Sequence, residues 1–433
     1  MLGDLMADPV HDAPADDPPA SMTLTPVGGA VTSSMNPRAG GAVRDPRLVL
    51  RLNNTIQLLS NGAWYVAIPF FPLYLVSQGA SAGVVGTVVG LAGIVPLAIS
   101  IHAGALVDER GPVVVYAASV ALFGAGGVIL MAVRGIPAAG VGYGLMTIAN
   151  IGFAVAAQAI VASASTDESR VRNYGYYSLW NSAGAVIGPI AGGFIAARFG
   201  YSGAFSALWI LMLPCLAVVT GLRGVPAPSR RAVPLAAAHT LVGTILRQPG
   251  IGAILFVSAM MVCAQQLQNT FYPLYLHQIG MAAPLIGMIV AAVSLATMAV
   301  RSLLSAGVAL LGTGRALLIS MIVAAVSFVL APLTHLFGAL IGVSILMGSS
   351  VGFTQPLTMS LLVECVTAEF WGVALGIRQS VQRVATIISP LIFGAVSTAR
   401  SVEPAFFAGA IIFLGAAGIM TRFADAMGRP RDA

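Results

Sequence analysis

The sequence predicts an all-α integral membrane protein: twelve transmembrane helices in two pseudo-symmetric six-helix bundles. Three observations predict it. Of 433 residues, 58% are hydrophobic and only 8% charged, and the mean hydropathy is +0.91, more apolar than a soluble globular chain needs to be. Apolar runs long enough to cross a hydrocarbon core as helices, about 20 residues each, follow one another along the chain, and the alternation of barrel strands is absent. Short motifs also recur at a fixed offset of 201 residues, so the second half repeats the first.

The first span, near 49–77, carries Asn54, Gln57, Asn61, Trp64 and Tyr65 on one helical face. Its end reads Phe70, Phe71, Pro72, Leu73, Tyr74, Leu75. Spans near 82–103 and 113–133 follow, the third holding little that is polar beyond Ser and Thr. The fourth, 138–162, has Asn150 near its middle and Gln158, and the fifth, 173–197, has Asn181 and a glycine series. A bare sixth span, 203–222, closes the first half. The seventh, 250–276, bears Gln265, Gln266, Gln268 and Asn269, then the eighth, ninth and tenth fall near 284–306, 314–332 and 337–362, the tenth with Gln355. Arg378, Gln379, Gln382 and Arg383 mark the eleventh, 373–397, before a bare twelfth at 404–424. Polar residues thus avoid spans 3, 6, 9 and 12, which predicts a lipid-facing scaffold around a polar path. Interhelical hydrogen bonding is the competing use for the same amides.

The repeat pairs the Phe70–Leu75 stretch with Phe271, Tyr272, Pro273, Leu274, Tyr275, Leu276, and Gly79, Gly86, Gly175, Pro189 and Gly193 with Gly280, Gly287, Gly376, Pro390 and Gly394. The expected organisation is a disordered cytoplasmic tail at 1–44, a first bundle at 45–222, a cytoplasmic linker at 223–248, a second bundle at 249–425 and a short tail at 426–433. Only Arg134, Arg198 and Arg400 fall on one side of the membrane, whereas the connections on the other side and both ends are Arg-rich. The positive-inside rule then makes both termini cytoplasmic, in the inner (plasma) membrane of a bacterium. The net charge of +6 reports this topology and gives no reason to expect a nucleic-acid partner. Cys215, Cys263 and Cys365 have no metal-ligand spacing. Gly348, Ser349, Ser350, Val351, Gly352 fits a hydrolase nucleophile pattern but lies inside a span, so no enzyme is expected.

The connection between spans 2 and 3 reads Gly104, Ala105, Leu106, Val107, Asp108, Glu109, Arg110, Gly111, Pro112. It resembles the signature loop of the major facilitator superfamily, whose twelve-helix duplicated plan covers the chain beyond its first tail. Gly104, Leu106, Asp108 and Gly111 match, Arg110 replaces a basic position in part, and Glu109 and Pro112 depart. The resemblance implies that Asp108 docks near the start of helix 11 and steadies an outward-open state. In span 5, Gly184, Gly188, Pro189, Gly192 and Gly193 are similar to a motif that marks the exporters and antiporters of this family. The resemblance therefore implies a secondary transporter exporting a small organic solute, with a proton gradient and no cofactor as its drive. Uptake of a sugar or organic anion, and a non-transporting sensor or assembly component, remain the alternatives.

No Asp or Glu lies in the middle of a span, and span 4 lacks the Arg of proton-coupled drug exporters. A pocket for cationic drugs is disfavoured, since an unpaired cation at mid-membrane costs about 2.5 to 3.5 kcal/mol on insertion scales. Arg383, close to the midpoint of span 11, points instead to bidentate binding of carboxylate or phosphate, or to a gating charge. Arg378 fits either that role or snorkelling to the interface, and Arg301 reads as interfacial. The expected substrate site is Asn61, Trp64, Tyr65, Asn150, Gln265, Asn269 and Arg383 in a chain acting as a monomer in the lipid bilayer. Gly104, Asp108, Arg110, Gly111, Gly184, Gly188, Pro189, Gly192 and Gly193 are expected to govern switching.

Overall fold

The structure, a computed structural model, describes residues 45–222, 242–243, 245–248, 250–366, 371–397 and 401–427. The tails expected at 1–44 and 426–433 and the linker at 223–248 lie wholly or mostly outside these residues. Every described element is a helix. The spans are α1 (Pro46–Ser77), α2 (82–110, broken at Gly93), α3 (Pro112–Ala132) and α4 (Ile136–Ser163). A helical run over Asp167–Ser206 is divided at Gly200, whose φ of 74° and ψ of 174° suit glycine alone, into α5 (167–199) and the start of α6 (201–220). Then come α7 (Ile251–Gln278), α8 (Ala283–Ser302), α9 (Thr313–Leu330), α10 (Phe337–Glu364), α11 (Trp371–Val396) and α12 (Glu403–Met427).

Ten of these helices are long and apolar enough to cross a membrane. The other two have identifiable reasons for falling outside that set. α6 reaches only 13 residues in its regular part, Leu208–Thr220, and the two Arg and two Gln of α11 lower its hydropathy.

The sequence repeat extends to the backbone. α2, α3 and α4 start at Ala82, Pro112 and Ile136, and α8, α9 and α10 start 201 residues later at Ala283, Thr313 and Phe337. Gly79 and Gly280 share φ values of 88° and 83°, as Gly111 and Gly312 share 84° and 73°. Each turns the chain where a Cβ would strain it.

One pair of repeated prolines has two different effects. Pro72 and Pro273 lack the N–H that would close a regular turn. In α1, which also carries Pro69, the helix opens into an irregular turn at Ile68, Pro69 and Phe70. In α7 it widens instead into a π turn at Leu267–Phe271, closed by the Tyr272 N–H on the Leu267 carbonyl.

α1 lies along α5, α3 pairs with both α4 and α6, α7 with α11, and α9 with α12. The two bundles meet through two repeat-related crossings, α2 with α11 and α5 with α8. Both lie toward the face where α1 ends, called here the far face; α1 begins at the near face. A Cβ on Gly86 would collide with the Pro390 carbonyl and Gly394, and one on Gly287 with the Pro189 carbonyl. A Cβ on Gly193 would likewise collide with the Ala283 carbonyl. The far face also carries an inter-bundle contact of Tyr201 Oη with His277 Nδ1 at 3.4 Å. The bundles are therefore closed at the far face by backbone-on-backbone packing that only glycine permits.

Candidate functional site

Two cavities lie between the bundles. Cavity A, about 110 Å³, is lined from α1, α2, α4, α7 and α11 by residues that include Trp64, Tyr143, Thr147, Asn150, Gln266, Asn269, Arg383 and Thr386. Cavity B, about 310 Å³, is lined from α1, α5, α7, α8 and α10 by Tyr65, Asn181, Ser182, Gln265, Gln268, Asn269, Thr297, Arg301 and Gln355 among others. Asn269, inside the π turn of α7, lines both. The wide turn carries Gln268, Asn269 and Thr270 past the regular helical register, so neighbouring residues of one helix reach both cavities. Neither cavity takes a residue from α3, α6, α9 or α12. Between α3 and α6 there is only an apolar groove walled by Val120, Ala121, Trp209 and Leu213.

Hydrogen bonding separates the polar side chains of the spans into two sets. Asn61 lines neither cavity: its amide donates to the Asn181 carbonyl and ties α1 to α5. Gln57 donates to Tyr116 Oη at 3.1 Å, and that hydroxyl donates to Asn53 Oδ1 at 2.6 Å, inside the first bundle. Gln268 donates to the Met347 carbonyl at 3.1 Å and Gln266 to that of Thr386 at 3.4 Å. Arg378 does not snorkel. It is 4% exposed, with Nε on Ser258 Oγ at 3.1 Å and Nη2 on Thr358 Oγ1 at 3.1 Å and the Gln355 carbonyl at 3.3 Å. Arg301 lines cavity B, where Nη2 donates to Gln355 Oε1 at 2.9 Å. Each of these side chains has a partner within the protein, although Asn53 Nδ2 is buried without one.

The second set is Trp64, Tyr65, Asn150, Gln265, Asn269 and Arg383. Each lines a cavity, and among the described residues none has a hydrogen bond or ion pair from its side chain. Trp64 is held by stacking on Tyr143, with ring centroids 6.0 Å apart and planes at 13°, and Tyr143 stacks in turn on Phe71 at 4.0 Å. A flat aromatic wall therefore shares cavity A with a guanidinium and two carboxamides whose donors are unused. Of the seven residues expected to form the site, the structure gathers six around the two cavities and places Asn61 at a helix–helix contact. Tyr143, Thr147, Gln266 and Thr386 line cavity A without having been singled out in the sequence. Of these, Gln266 stands in the α7 amide cluster, and no pattern in the sequence distinguishes the other three.

The switching residues divide as well. A Cβ on Gly184 or Gly188 would lie 2.7 Å or 2.6 Å from the Gly62 backbone, and one on Gly192 would lie 2.8 Å from the Phe70 ring, so this face seats α5 on α1 within one bundle. Pro189 and Gly193 face α8 across the bundle boundary. Arg110 is exposed and Gly111 makes the positive-φ turn into α3. Gly104 and Asp108 lie in the helical backbone of α2, and their surroundings are outside what the structure describes. No group of three or more His, Cys, Asp or Glu side chains able to hold a metal occurs among the described residues.

No curated protein matches the sequence. Among solved structures, the chain is similar to the nucleoside transporter NupG, with a TM-score of 0.71 and 15% identity over 88% of this chain and 100% of that one. A bacterial homolog of the human lysosomal transporter Spinster, in an inward-facing and unoccupied conformation, gives 0.72 and 14% over 91% and 100%. The peptide transporter POT in complex with sulfate gives 0.69 and 16% over 88% and 95%. At these identities the likeness shows the fold. The profile of the Major Facilitator Superfamily matches residues 55–306 and 254–432, which together take in nearly all of the chain beyond its first tail. The chain thus belongs to the Major Facilitator Superfamily: it is a multi-pass membrane transporter, not an enzyme.

Proposed function

We propose that the protein exports a small organic solute bearing a carboxylate or phosphate, by alternating access across the inner membrane of a bacterium. One observation carries the choice of substrate. Arg383 lines a mid-span cavity, and no described side chain neutralises or hydrogen-bonds it. A guanidinium is permanently charged and offers paired donors that match a carboxylate or phosphate. An unpaired buried charge is costly, so a site that keeps one suits a ligand that supplies the opposite charge. Asn150, Gln265 and Asn269 supply further donors, and Trp64 and Tyr65 supply flat apolar contact.

The α2–α11 and α5–α8 crossings form the far-face gate, with Asp108, Arg110 and the signature loop acting at the near face. The solute then reaches the cavities from the near face, which the arginine distribution makes cytoplasmic. The direction of net movement rests on the likeness of the α5 glycine motif to exporters, which implies an antiporter. The chain works as a monomer.

Thermal unfolding of the purified full-length chain tests the substrate class. Succinate, acetate or inorganic phosphate is expected to raise the unfolding temperature of the wild type but not of Arg383→Gln, whereas choline leaves both unchanged. Stabilisation by choline, or equal stabilisation of both proteins by the anions, contradicts the reading.

A further inference from the structure

Three arginines enter the inner part of the second bundle, and only one of them has no partner. Arg378 is held by Ser258, Thr358 and the Gln355 carbonyl, and Arg301 is engaged by the Gln355 side chain. Arg383 is the unpartnered one among the described residues. The chain holds 15 carboxylates, and all of them stand in the tails, the connections or the ends of spans. Those at span ends are Asp108 and Glu109 on α2, Asp167 and Glu168 on α5, Glu364 on α10, and Glu403 and Asp425 on α12. His277 and His335 belong to the far face, and His102 to the near-face part of α2. Around Arg383, the side chains of cavity A that could ionise are Tyr143 and Arg383 itself, and a phenol loses its proton only near pH 10. Among the described residues, the site thus has a fixed positive charge and no lining group that takes up or releases a proton near neutral pH.

This bears on the return stroke. Alternating access passes through a state closed at both faces, and the far-face contacts of Gly86 with Pro390 and Gly287 with Pro189 show how tightly this chain closes. With an anion on Arg383 the enclosed pair is neutral. With the site empty, a lone guanidinium has to be shut away from water, and no carboxylate lines the cavity among the described residues. A proton-coupled carrier avoids this problem with a titratable acid beside the site, and the described lining of cavity A holds none. We infer that the counter-moving species is a second anion, which occupies Arg383 on the return stroke, so that the protein exchanges one anion for another. The inference rests on the reading of cavity A as an anion site and replaces the proton as counter-species. No covalent step is involved: one anion leaves as another is carried back, and the carrier never closes empty at an appreciable rate.

The test uses the wild-type full-length chain in sealed vesicles, loaded with whichever of labelled succinate, acetate or inorganic phosphate stabilises it most. Efflux is followed into lightly buffered sucrose or into the same anion unlabelled, each with and without an imposed pH gradient. Efflux into the anion medium is expected to be at least about tenfold faster than into sucrose, a difference of about 1.4 kcal/mol, and indifferent to the pH gradient. Equal efflux into both media overturns the inference, as does efflux into sucrose that follows the pH gradient. If no anion stabilises the wild type over Arg383→Gln, the site itself is not anionic and both readings fall. If anions bind at Arg383 but efflux is not accelerated by external anion, only the exchange is lost.

Discussion

Arg378 and Arg383 differ in what surrounds them far more than in sequence position. Both are arginines of α11 a turn or so apart, and the sequence marks both as unusual because charge is rare inside spans. It cannot say which one the protein satisfies, because the partners of Arg378 come from α7 and α10, far along the chain. This gives a paired expectation. Arg378→Met leaves Ser258 and Thr358 without their charged partner, and the loss is expected to be about 1.5 to 3 kcal/mol of stability, read by thermal unfolding in detergent. Arg383→Gln removes no protein contact and is expected to hold stability within about 0.5 kcal/mol while anion binding is lost. Similar destabilisation by both substitutions contradicts the division. Asn61 shows another limit of sequence reading: a neighbouring carbonyl on α5 captures its amide, so it lines neither cavity. Tyr116→Phe is a third residue-scale test, since it leaves Asn53 Oδ1 without its donor and should cost about 1 to 2 kcal/mol with transport retained.

At the scale of elements, the glycines of α5 were legible as a small-residue face, and a spacing of four residues is enough to predict close approach. What they approach was not legible. Gly184, Gly188 and Gly192 seat α5 on α1 inside a bundle, whereas Gly193, one residue further, meets α8 of the other bundle. Gly188→Leu is accordingly expected to reduce the folded yield, measured by size-exclusion recovery. Gly287→Val is expected to leave folding intact and prevent far-face closure. Spin labels at Ser77 and Val396 should then report longer distances than in the wild type, and an unchanged distance distribution contradicts the gate. The π turn of α7 was hidden for a different reason. The same proline pair opens α1 into an irregular turn and widens α7, and the choice between those outcomes depends on Pro69 and on packing that a local motif does not encode.

For the whole molecule, the twelve-helix duplicated plan was almost fully legible, because lipid imposes both the length and the apolarity of each span. The offset of 201 residues returns in helix starts and in paired positive-φ glycines. The two spans that fall short, α6 and α11, do so because one is short and the other carries the polar residues of the site. The division of labour also follows from the sequence: the helices without polar residues contribute nothing to either cavity. The central claim is that this scaffold moves an anion by way of Arg383. Metabolites inside and outside cells overexpressing the wild type or Arg383→Gln test it most directly. The account predicts that one or a few carboxylate- or phosphate-bearing solutes build up in the medium with the wild type alone; identical profiles for the two proteins, or a cation as the enriched solute, would contradict it.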